Sequence, residues 1–471
     1  MSWWTVATIA EVVWVVVMAL GIVLERRSPV ATIAWIALLA WLPLLGVAVY
    51  FFFGPRRLRR RKLKRAAGQK LLEAAVKSIE VDSEHAIART QLARLVVATG
   101  EAPPLRATAV DLYFDGKETY AAMFNAIDRA QHHVHLEYYI YEADAIGTAL
   151  RDRLTARAKA GVQVRLLIDS VGSHSLRSKF FAPLVAAGGE LAWFNPVVGR
   201  HLSPRMANFR SHRKIVVCDG VVGFTGGMNV SACHSSVTSP STYWRDTHAR
   251  IEGSAVRALA RVFLEDWYFA TETPPPLDER YLVTPKPEGD HYVQVVASGP
   301  DASTFAIQRL YFAAVTSARE RVWLETPYFV PDDAFLEALV SAALRGVDVR
   351  LLVPEHGDNR LVDLAARSYF PDLLRVGAQV LEYTPRFLHA KTCVVDGDLC
   401  IVGTANLDNR SFQLNFEVVA AVYGEEANST LAAAFERDLA DARPVKGKEL
   451  RREPFVRRAS EAVARLFSPT L

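Results

Sequence analysis

The sequence predicts an α/β fold built from one unit written twice, behind an apolar N-terminal hairpin. Three observations carry that prediction. Apolar strands alternate with helical stretches, the strand signatures recur at nearly constant separation, and two long apolar runs occupy the first 53 residues.

The hairpin comes first. Trp3 to Leu24 is 22 residues with a single charge, Glu11, and Val30 to Phe53 is 24 residues with none. At a rise of about 1.5 Å per residue, either run can cross a hydrocarbon core of roughly 30 Å. Only Glu25 to Pro29 separates them, so two membrane spans joined by a tight turn are expected. A cleaved signal peptide does not fit, because nothing before Glu11 is charged and the apolar stretch is too long. Pro43 is tolerated inside lipid, where neighbouring groups satisfy the freed carbonyl.

Eight basic residues come directly after it (Arg56, Arg57, Arg59, Arg60, Arg61, Lys62, Lys64 and Arg65), against two in the connecting loop. The positive-inside rule puts this flank, and the region behind it, in the cytoplasm. Taking those eight from the 55 Lys and Arg leaves 47 against 51 acidic residues. The net charge of +4 is therefore no sign of a nucleic-acid partner. The basic run reads as a topology signal, a clamp on anionic headgroups of the bilayer, or both. Cys218, Cys233, Cys393 and Cys400 form no CxxC pair and read as small apolar residues of a reducing compartment.

Residues 66–99 alternate apolar and charged positions as a helical linker, closing at Gly100 and Pro103-Pro104. The expected organisation is a transmembrane hairpin over 1–55, a basic flank and linker over 56–104, a first repeat over 105–285 and a second over 286–471. In the first repeat the strand His133 to Tyr141 leads through a helical stretch to GVQVRLL from Gly161. In the second, Arg321 to Val330 leads to GVDVRLL from Gly346. Glu137 and Glu325 lie 188 apart, as do Gly189 and Gly377, and the GVxVRLL segments 185 apart. The offset then falls to 177, which puts 11 extra residues in the first repeat between Asn195 and His212.

The chemistry is concentrated in one matched pair of segments. His212-Arg-Lys214-Ile-Val-Val-Cys-Asp219-Gly220 is matched by His389-Ala-Lys391-Thr-Cys-Val-Val-Asp396-Gly397, and Gly226-Gly227-Met228-Asn229 by Gly403-Thr404-Ala405-Asn406. Every corresponding position is 177 residues apart without a gap, and two copies of HxKx4Dx6GxxN at one spacing are highly specific. Residues two apart on a strand share a face, so each His is expected to point with its Lys. Asp-Gly before another apolar run signals a two-residue hairpin. That turn reading of Asp219 and Asp396 is preferred to direct catalysis, although both count with the motif's catalytic set. Gly227, Asn229, Thr404 and Asn406 are expected to present amides or N–H groups to a bound oxyanion. Brought together, the two motifs suit a phosphodiester: lysines on the non-bridging oxygens, one His attacking phosphorus, the other protonating the leaving alkoxide.

These motifs resemble the paired HKD signatures of the phospholipase D superfamily. More narrowly, the hairpin PVATIAWIALLAWLPLLGVAVYFFFG, HLEYYIY, FRSHRKIVVCDG, YWRDTHARIEG, HAKTCVVDG, LNFEV and the closing LFSPTL are similar to bacterial cardiolipin synthases. The resemblance implies a duplicated phospholipase D-like fold, a bacterial inner-membrane location and a phosphohistidine intermediate. It implies His212 as nucleophile and His389 as acid, then base. It also implies an acidic residue downstream of each His to hold its other ring nitrogen: Asp246, 34 residues after His212, and Glu417, 28 after His389. The family often has Ser where Gly227 stands, so one hydroxyl donor to phosphate is expected to be missing while the N–H remains.

Other candidates read more weakly. Glu137 and Glu325 could line the pocket or pair with buried arginines. Arg210 could hold a second headgroup or stand exposed on a loop. His132, His133 and His135 beside Glu137 lack HExxH or CxxC company, so no metal is expected, and no GxxxxGK indicates a nucleotide, so no cofactor is expected. The implied reaction joins two phosphatidylglycerol molecules into cardiolipin and glycerol. Water as acceptor would instead give a phospholipase D releasing phosphatidate. A nuclease or a non-catalytic membrane scaffold fits the two spans and two intact motifs less well.

Overall fold

The computed structural model describes residues 3–24, 29–41, 90–195, 209–273, 289–302 and 304–471. They fall into two units, the N-terminal helices and the region from Thr90 onward.

In the first unit, helices Trp3–Leu24 and Pro29–Trp41 pack through Ile22 and Leu39, with Trp14, Met18 and Trp35 against them. Trp3, Val16, Leu20 and Ile33 are among the side chains that face outward. Among the described residues no helix is long and apolar enough to cross a membrane. Residues 42–53 of the second apolar run, the side chains at 7–11, the basic run at 56–65 and the linker over 66–89 lie outside the described residues. The expected hairpin is thus met as far as a pair of packed apolar helices.

Among the described residues the second unit holds two large sheets with one order of strands, and a small two-stranded sheet, Phe329–Val330 with Leu407–Asp408. The first runs Ala109–Tyr113, His248–Glu252, Val222–Gly226, Lys214–Cys218, His133–Tyr138, Gln163–Asp169 and Glu190–Phe194. The second runs His291–Ser298, Glu417–Tyr423, Leu399–Gly403, Thr392–Val395, Arg321–Glu325, Asp348–Pro354 and Gln379–Tyr383, with an extra strand at each edge, Leu105–Ala107 and Ala442–Pro444. In each large sheet the last three shared strands are parallel, joined by helical crossovers, and the remaining neighbours pair antiparallel. Leu105–Ala107, which the sequence would assign to the first repeat, pairs with Val293, Tyr292 and His291 of the second.

Burial explains why the strands read as continuous apolar runs. Along Lys214–Cys218, Ile215 and Val217 face a cluster shared by both sheets, while Val216 and Cys218 face the first repeat's outer helices. Val394 and Cys393 divide in the same way in the second repeat. The shared cluster also takes Ala249, Ile251, Val402, Val418 and Ala420, and helices Val256–Thr271 and Glu425–Ala440 close it. At about 25 cal/mol per Å² of apolar surface removed from water, this layer is what joins the repeats.

Candidate active site

Each motif histidine stands just ahead of its strand. The ladder begins at Lys214 in the first repeat and at Thr392 in the second, so the HxK triplets are not the strand interior that the spacing predicts. The reason is a partner change. The His212 N–H donates to the Phe416 carbonyl at 2.9 Å, and the Phe416 N–H to the Arg210 carbonyl at 2.9 Å. The same exchange links the His389 N–H to Arg245 O at 2.7 Å and the Arg245 N–H to Phe387 O at 2.9 Å. Each histidine's backbone is thus bridged to the segment that carries the other repeat's acid.

Those bridges cross the acids over. His212 Nδ1 lies 3.0 Å from both carboxylate oxygens of Glu417, and His389 Nδ1 lies 2.6 Å from Asp246 Oδ2. Asp246 and Glu417 therefore act on the histidine of the opposite repeat, which corrects the pairing expected from chain order. With each Nδ1 bound to a carboxylate, Nε2 is the nitrogen left to react. Lys214 Nζ donates to the His212 carbonyl at 2.8 Å, and Lys391 does the same to His389. His212, Lys214, His389 and Lys391 are all buried.

Burial sets the electrostatics. Desolvation, with Lys391 nearby, pushes Lys214 down to about 7, against the pull of Glu417. Desolvation likewise pushes Lys391 down to about 8, against Asp246 and Glu417. Burial lowers His212, and Glu417 opposes that shift. His389 is lowered further, by burial and then by the Lys391 and Lys214 charges. Glu417 is held below the usual carboxylate range despite burial, by His212, Lys214 and the Thr404 hydroxyl. A pocket that depresses two ammonium groups in this way is poised to take up a compact anion.

Several expected roles change once their contacts are known. Asp219 (φ 55°) and Asp396 (φ 46°) sit in three-residue turns, since Cys218 pairs with Val222 and Val395 with Leu399. The Asp219 carboxylate accepts the N–H groups of Gln131, His132 and His133 at 2.8–2.9 Å, and Asp396 those of Arg319, Glu320 and Arg321 at 2.8–3.1 Å. They fasten each hairpin to the start of the neighbouring strand, at the end away from the histidines. Their place in the catalytic set is not supported, and the turn reading holds with one more residue per loop.

Gly227 and Thr404 serve the acids. Their N–H groups are spent on Thr247 O and Val418 O, each at 2.9 Å, so neither N–H is left for phosphate. The Thr404 hydroxyl donates to Glu417 Oε2 at 2.5 Å. A Cβ on Gly227 would stand 1.9 Å from Asp246 Oδ1, so this position is empty because the carboxylate fills it. Asn229 and Asn406 suit the phosphate-binding role better. Both are buried, Asn229 Oδ1 accepts from Ile140 N at 3.3 Å, and no described protein group takes either Nδ2.

Glu137 and Glu325 do not line the pocket. Glu137 accepts from Ser211 beside the buried Arg213–Asp266 pair, and Glu325 accepts from Thr392 at 2.8 Å beside the Arg245–Asp438 pair. Burial raises both carboxyls, Glu325 to about 7. His133 and His135 pack with tilted rings, centroids 4.6 Å apart, and His135 stacks on Phe263, as core side chains. Arg210 donates to the Tyr139 hydroxyl at 3.2 Å. The 11 extra residues ahead of His212 fall mostly outside the described residues.

His234 is the site residue that motif spacing passes over. Its Nε2 accepts the Asn229 N–H at 3.2 Å, and its Nδ1 lies 3.4 Å from Asp246 Oδ2. Ser411, which is 177 residues further on, takes the Asn406 N–H at 3.1 Å and donates to Glu417 Oε1 at 2.9 Å. The two occupy one structural position, and the 177-residue offset between them is the signal that could have found them. Among the described residues His234, Asp246 and His389 also form the one cluster with metal-ligand proximity. Within it His389 Nδ1 bonds Asp246 Oδ2 at 2.6 Å, while His234 Nδ1 makes only the 3.4 Å contact. Tyr139 packs edge-on to His212 with centroids 4.9 Å apart, and Trp244 lies 5.2 Å from His389.

Comparison with known proteins decides the family. The model of the cardiolipin synthase, PLD-like domain matches residues 123–267 and 311–439, and the Phospholipase D-nuclease N-terminal model matches 12–55. The chain belongs to the cardiolipin synthase family of the phospholipase D superfamily. It is 43% identical over 468 residues to the cardiolipin synthase of Geobacillus thermodenitrificans, covering 97% of this chain and 92% of that one. It is 41% identical over 461 residues to cardiolipin synthase 2 of Bacillus cereus, covering 96% and 88%. The fold is that of the phosphatidylserine synthase of Haemophilus influenzae, with a TM-score of 0.61 at 14% identity over 81% of this chain and 100% of that one. In this cardiolipin synthase-family chain the duplicated α/β fold is therefore shared, and its two motifs converge on one pocket.

Proposed function

We propose that this chain transfers a phosphatidyl group from one phosphatidylglycerol to a hydroxyl of another, releasing glycerol and forming cardiolipin. The observation that carries the reading is the crossed pair of His–carboxylate contacts, which turns both Nε2 atoms into reacting groups beside two buried lysines. In the first step His212 Nε2 attacks phosphorus, the P–O bond to glycerol breaks, and His389 gives its proton to that alkoxide. In the second step His389 takes the proton of the incoming hydroxyl, whose oxygen displaces His212 from phosphorus. Lys214, Lys391 and the Nδ2 groups of Asn229 and Asn406 hold the non-bridging oxygens. One phosphodiester replaces another, so no nucleotide energy is required.

Asymmetry between the acids supports His212 as nucleophile. Glu417 is saturated by Thr404, Ser411 and Asn415 as well as His212. A carboxylate so occupied orients a neutral imidazole and gives less support to an imidazolium. Asp246 receives Thr247 N at 2.7 Å and the closer contact to His389. Burial is the main cause that lowers His389; an anionic phosphodiester between the lysines offsets the next one, their charge, and so favours a proton there.

The same reading takes residues 1–55 as a two-span hairpin in the bacterial inner membrane, with the basic flank of 56–65 and the catalytic region over 105–285 and 286–471 on the cytoplasmic side. The test is product analysis with purified protein in mixed micelles of headgroup-labelled phosphatidylglycerol, beside His212→Ala. Cardiolipin with labelled glycerol, absent in the variant, is the expected result. Phosphatidate alone would replace the transferase with a hydrolase.

A further inference from the structure

The C-terminal helix Phe455–Arg465 is turned inside out for a surface helix. Its buried residues are Glu461 and Ala464, and Glu461 faces Arg367 of the helix Arg360–Arg367. Its apolar residues point the other way: Phe455, Val456, Val463, Leu466 and Phe467 are 81, 75, 56, 77 and 50% exposed. At 100° per residue these five, with Ala459 and Ala462, fall within one stripe of about 140°. A surface helix normally puts such a stripe in the core and its charges in water.

Charge surrounds the stripe. Residues 443–465 hold eight Lys and Arg against three Glu. Arg443, Lys446, Arg457 and Arg465 are paired with acids. Lys448, Arg451, Arg452 and Arg458 are exposed and make no ion pair among the described residues. Exposed aromatic and aliphatic side chains flanked by unpaired cations match an anionic bilayer surface, with acyl chains for the stripe and phosphates for the arginines.

The helix is also tethered to the site. Beyond it, the Ser468 hydroxyl meets Tyr369 Oη at 2.8 Å, Asn409 Nδ2 donates to Ser468 O at 3.0 Å, and Arg410 N to Leu471 O at 3.0 Å. Two residues after Asn409, Ser411 donates to Glu417, the partner of His212. One short helix, Asn409–Gln413, thus connects the exposed stripe to the catalytic pair.

We propose that residues 455–467, with Arg451, Arg452 and Arg458, form an interfacial docking surface that lies in the headgroup layer of an anionic membrane and sets the pocket at the depth of its lipid substrates. This contact is separate from the N-terminal hairpin and does not depend on the catalytic step. The apolar stripe enters the acyl boundary, and the three arginines rest on lipid phosphates.

The test uses the full chain reconstituted in phosphatidylglycerol-containing vesicles, with an environment-sensitive dye on Leu466→Cys and, as a control, on Leu344→Cys of helix Asp333–Leu344, where Leu344 is 70% exposed. Brominated acyl chains should quench the dye at 466 and not at 344, whether or not the enzyme turns over. Arg451→Glu, Arg452→Glu and Arg458→Glu together should weaken that quenching. The combined Phe455→Ser, Val456→Ser, Leu466→Ser and Phe467→Ser variant should raise KM on vesicles on the order of tenfold, with kcat on monomeric short-chain phosphatidylglycerol unchanged. That retained activity shows the variant is folded. Equal quenching at both sites, or none at 466, overturns the proposal. Cross-linking between copies through 466 in place of quenching also overturns it and makes the stripe a self-association surface.

Discussion

Glu417, carried by the second repeat, holds Nδ1 of His212, carried by the first, at 3.0 Å. The reciprocal contact, Asp246 to His389, makes each half of the enzyme dependent on the other. Glu417→Gln should therefore impair attack by His212, and Asp246→Asn should impair proton transfer by His389. Each should lower kcat by about 10²–10⁴-fold. Rapid quenching with labelled donor separates them: Glu417→Gln forms little phosphohistidine, whereas Asp246→Asn, with a poor base for the second step, accumulates it. The reverse pattern would restore the pairing by chain order.

The lysines predict the alkaline limb. Each is cationic below its folded pKa and holds the phosphodiester; above it the charge is lost. With Lys214 near 7 and Lys391 near 8, kcat/KM should fall as pH rises through about 7 to 8. The acid limb should lie below the ordinary imidazole value of about 6.5, because burial lowers His212 and keeps it neutral. A Lys214→Arg variant that remains active should move the alkaline limb upward, toward the value of Lys391. A profile flat from about pH 6 to 9 would remove the lysines from phosphate binding.

Asp219 and Asp396 should behave as structural residues. Asp219→Asn keeps a side chain tolerated at positive φ and one acceptor oxygen, but loses the carboxylate charge and sets an NH2 donor where the second oxygen took an N–H, at a cost of about 2 kcal/mol. Thermal unfolding should shift down, while kcat per folded molecule stays within about twofold. A large loss of kcat without loss of stability would return Asp219 to the catalytic set.

Gly227 should not accept a side chain. Gly227→Ala forces Asp246 to move and releases His389, so kcat should fall by about 10²-fold with the circular dichroism spectrum unchanged. At the equivalent position Thr404→Ser keeps the hydroxyl on Glu417 and should be nearly silent, whereas Thr404→Val should not. Full activity in Gly227→Ala would mean that Asp246 is not the acceptor for His389.

Much of this protein was legible because duplication writes structure into spacing. A buried strand needs an unbroken apolar run, and a repeated sheet needs the runs at repeated intervals, so the α/β halves and both HxK motifs could be read from residue types alone. The same offset also relates His234 to Ser411, but a serine and a histidine look unrelated until both are seen to take an asparagine N–H, so sequence reading missed them. Asp219 and Asp396 were legible as turn residues, because Asp-Gly tolerates left-handed backbone.

Residue order along one chain carries no information on which repeat supplies which acid. That depends on two backbone bridges, Ser211 with Phe416 and Arg245 with Leu388, and on the shared apolar layer beneath them. Space decided the rest: Gly227 yields its place to a carboxylate, and Glu137 and Glu325 take the buried hydroxyls of Ser211 and Thr392. The sequence by itself determined the repeated fold, the paired His and Lys of the two motifs and the apolar N-terminus, since each arises from local pattern. Only the tertiary structure decided the crossed pairing of acid with histidine and the outward face of the C-terminal helix, because both are set by contacts between segments far apart in the chain.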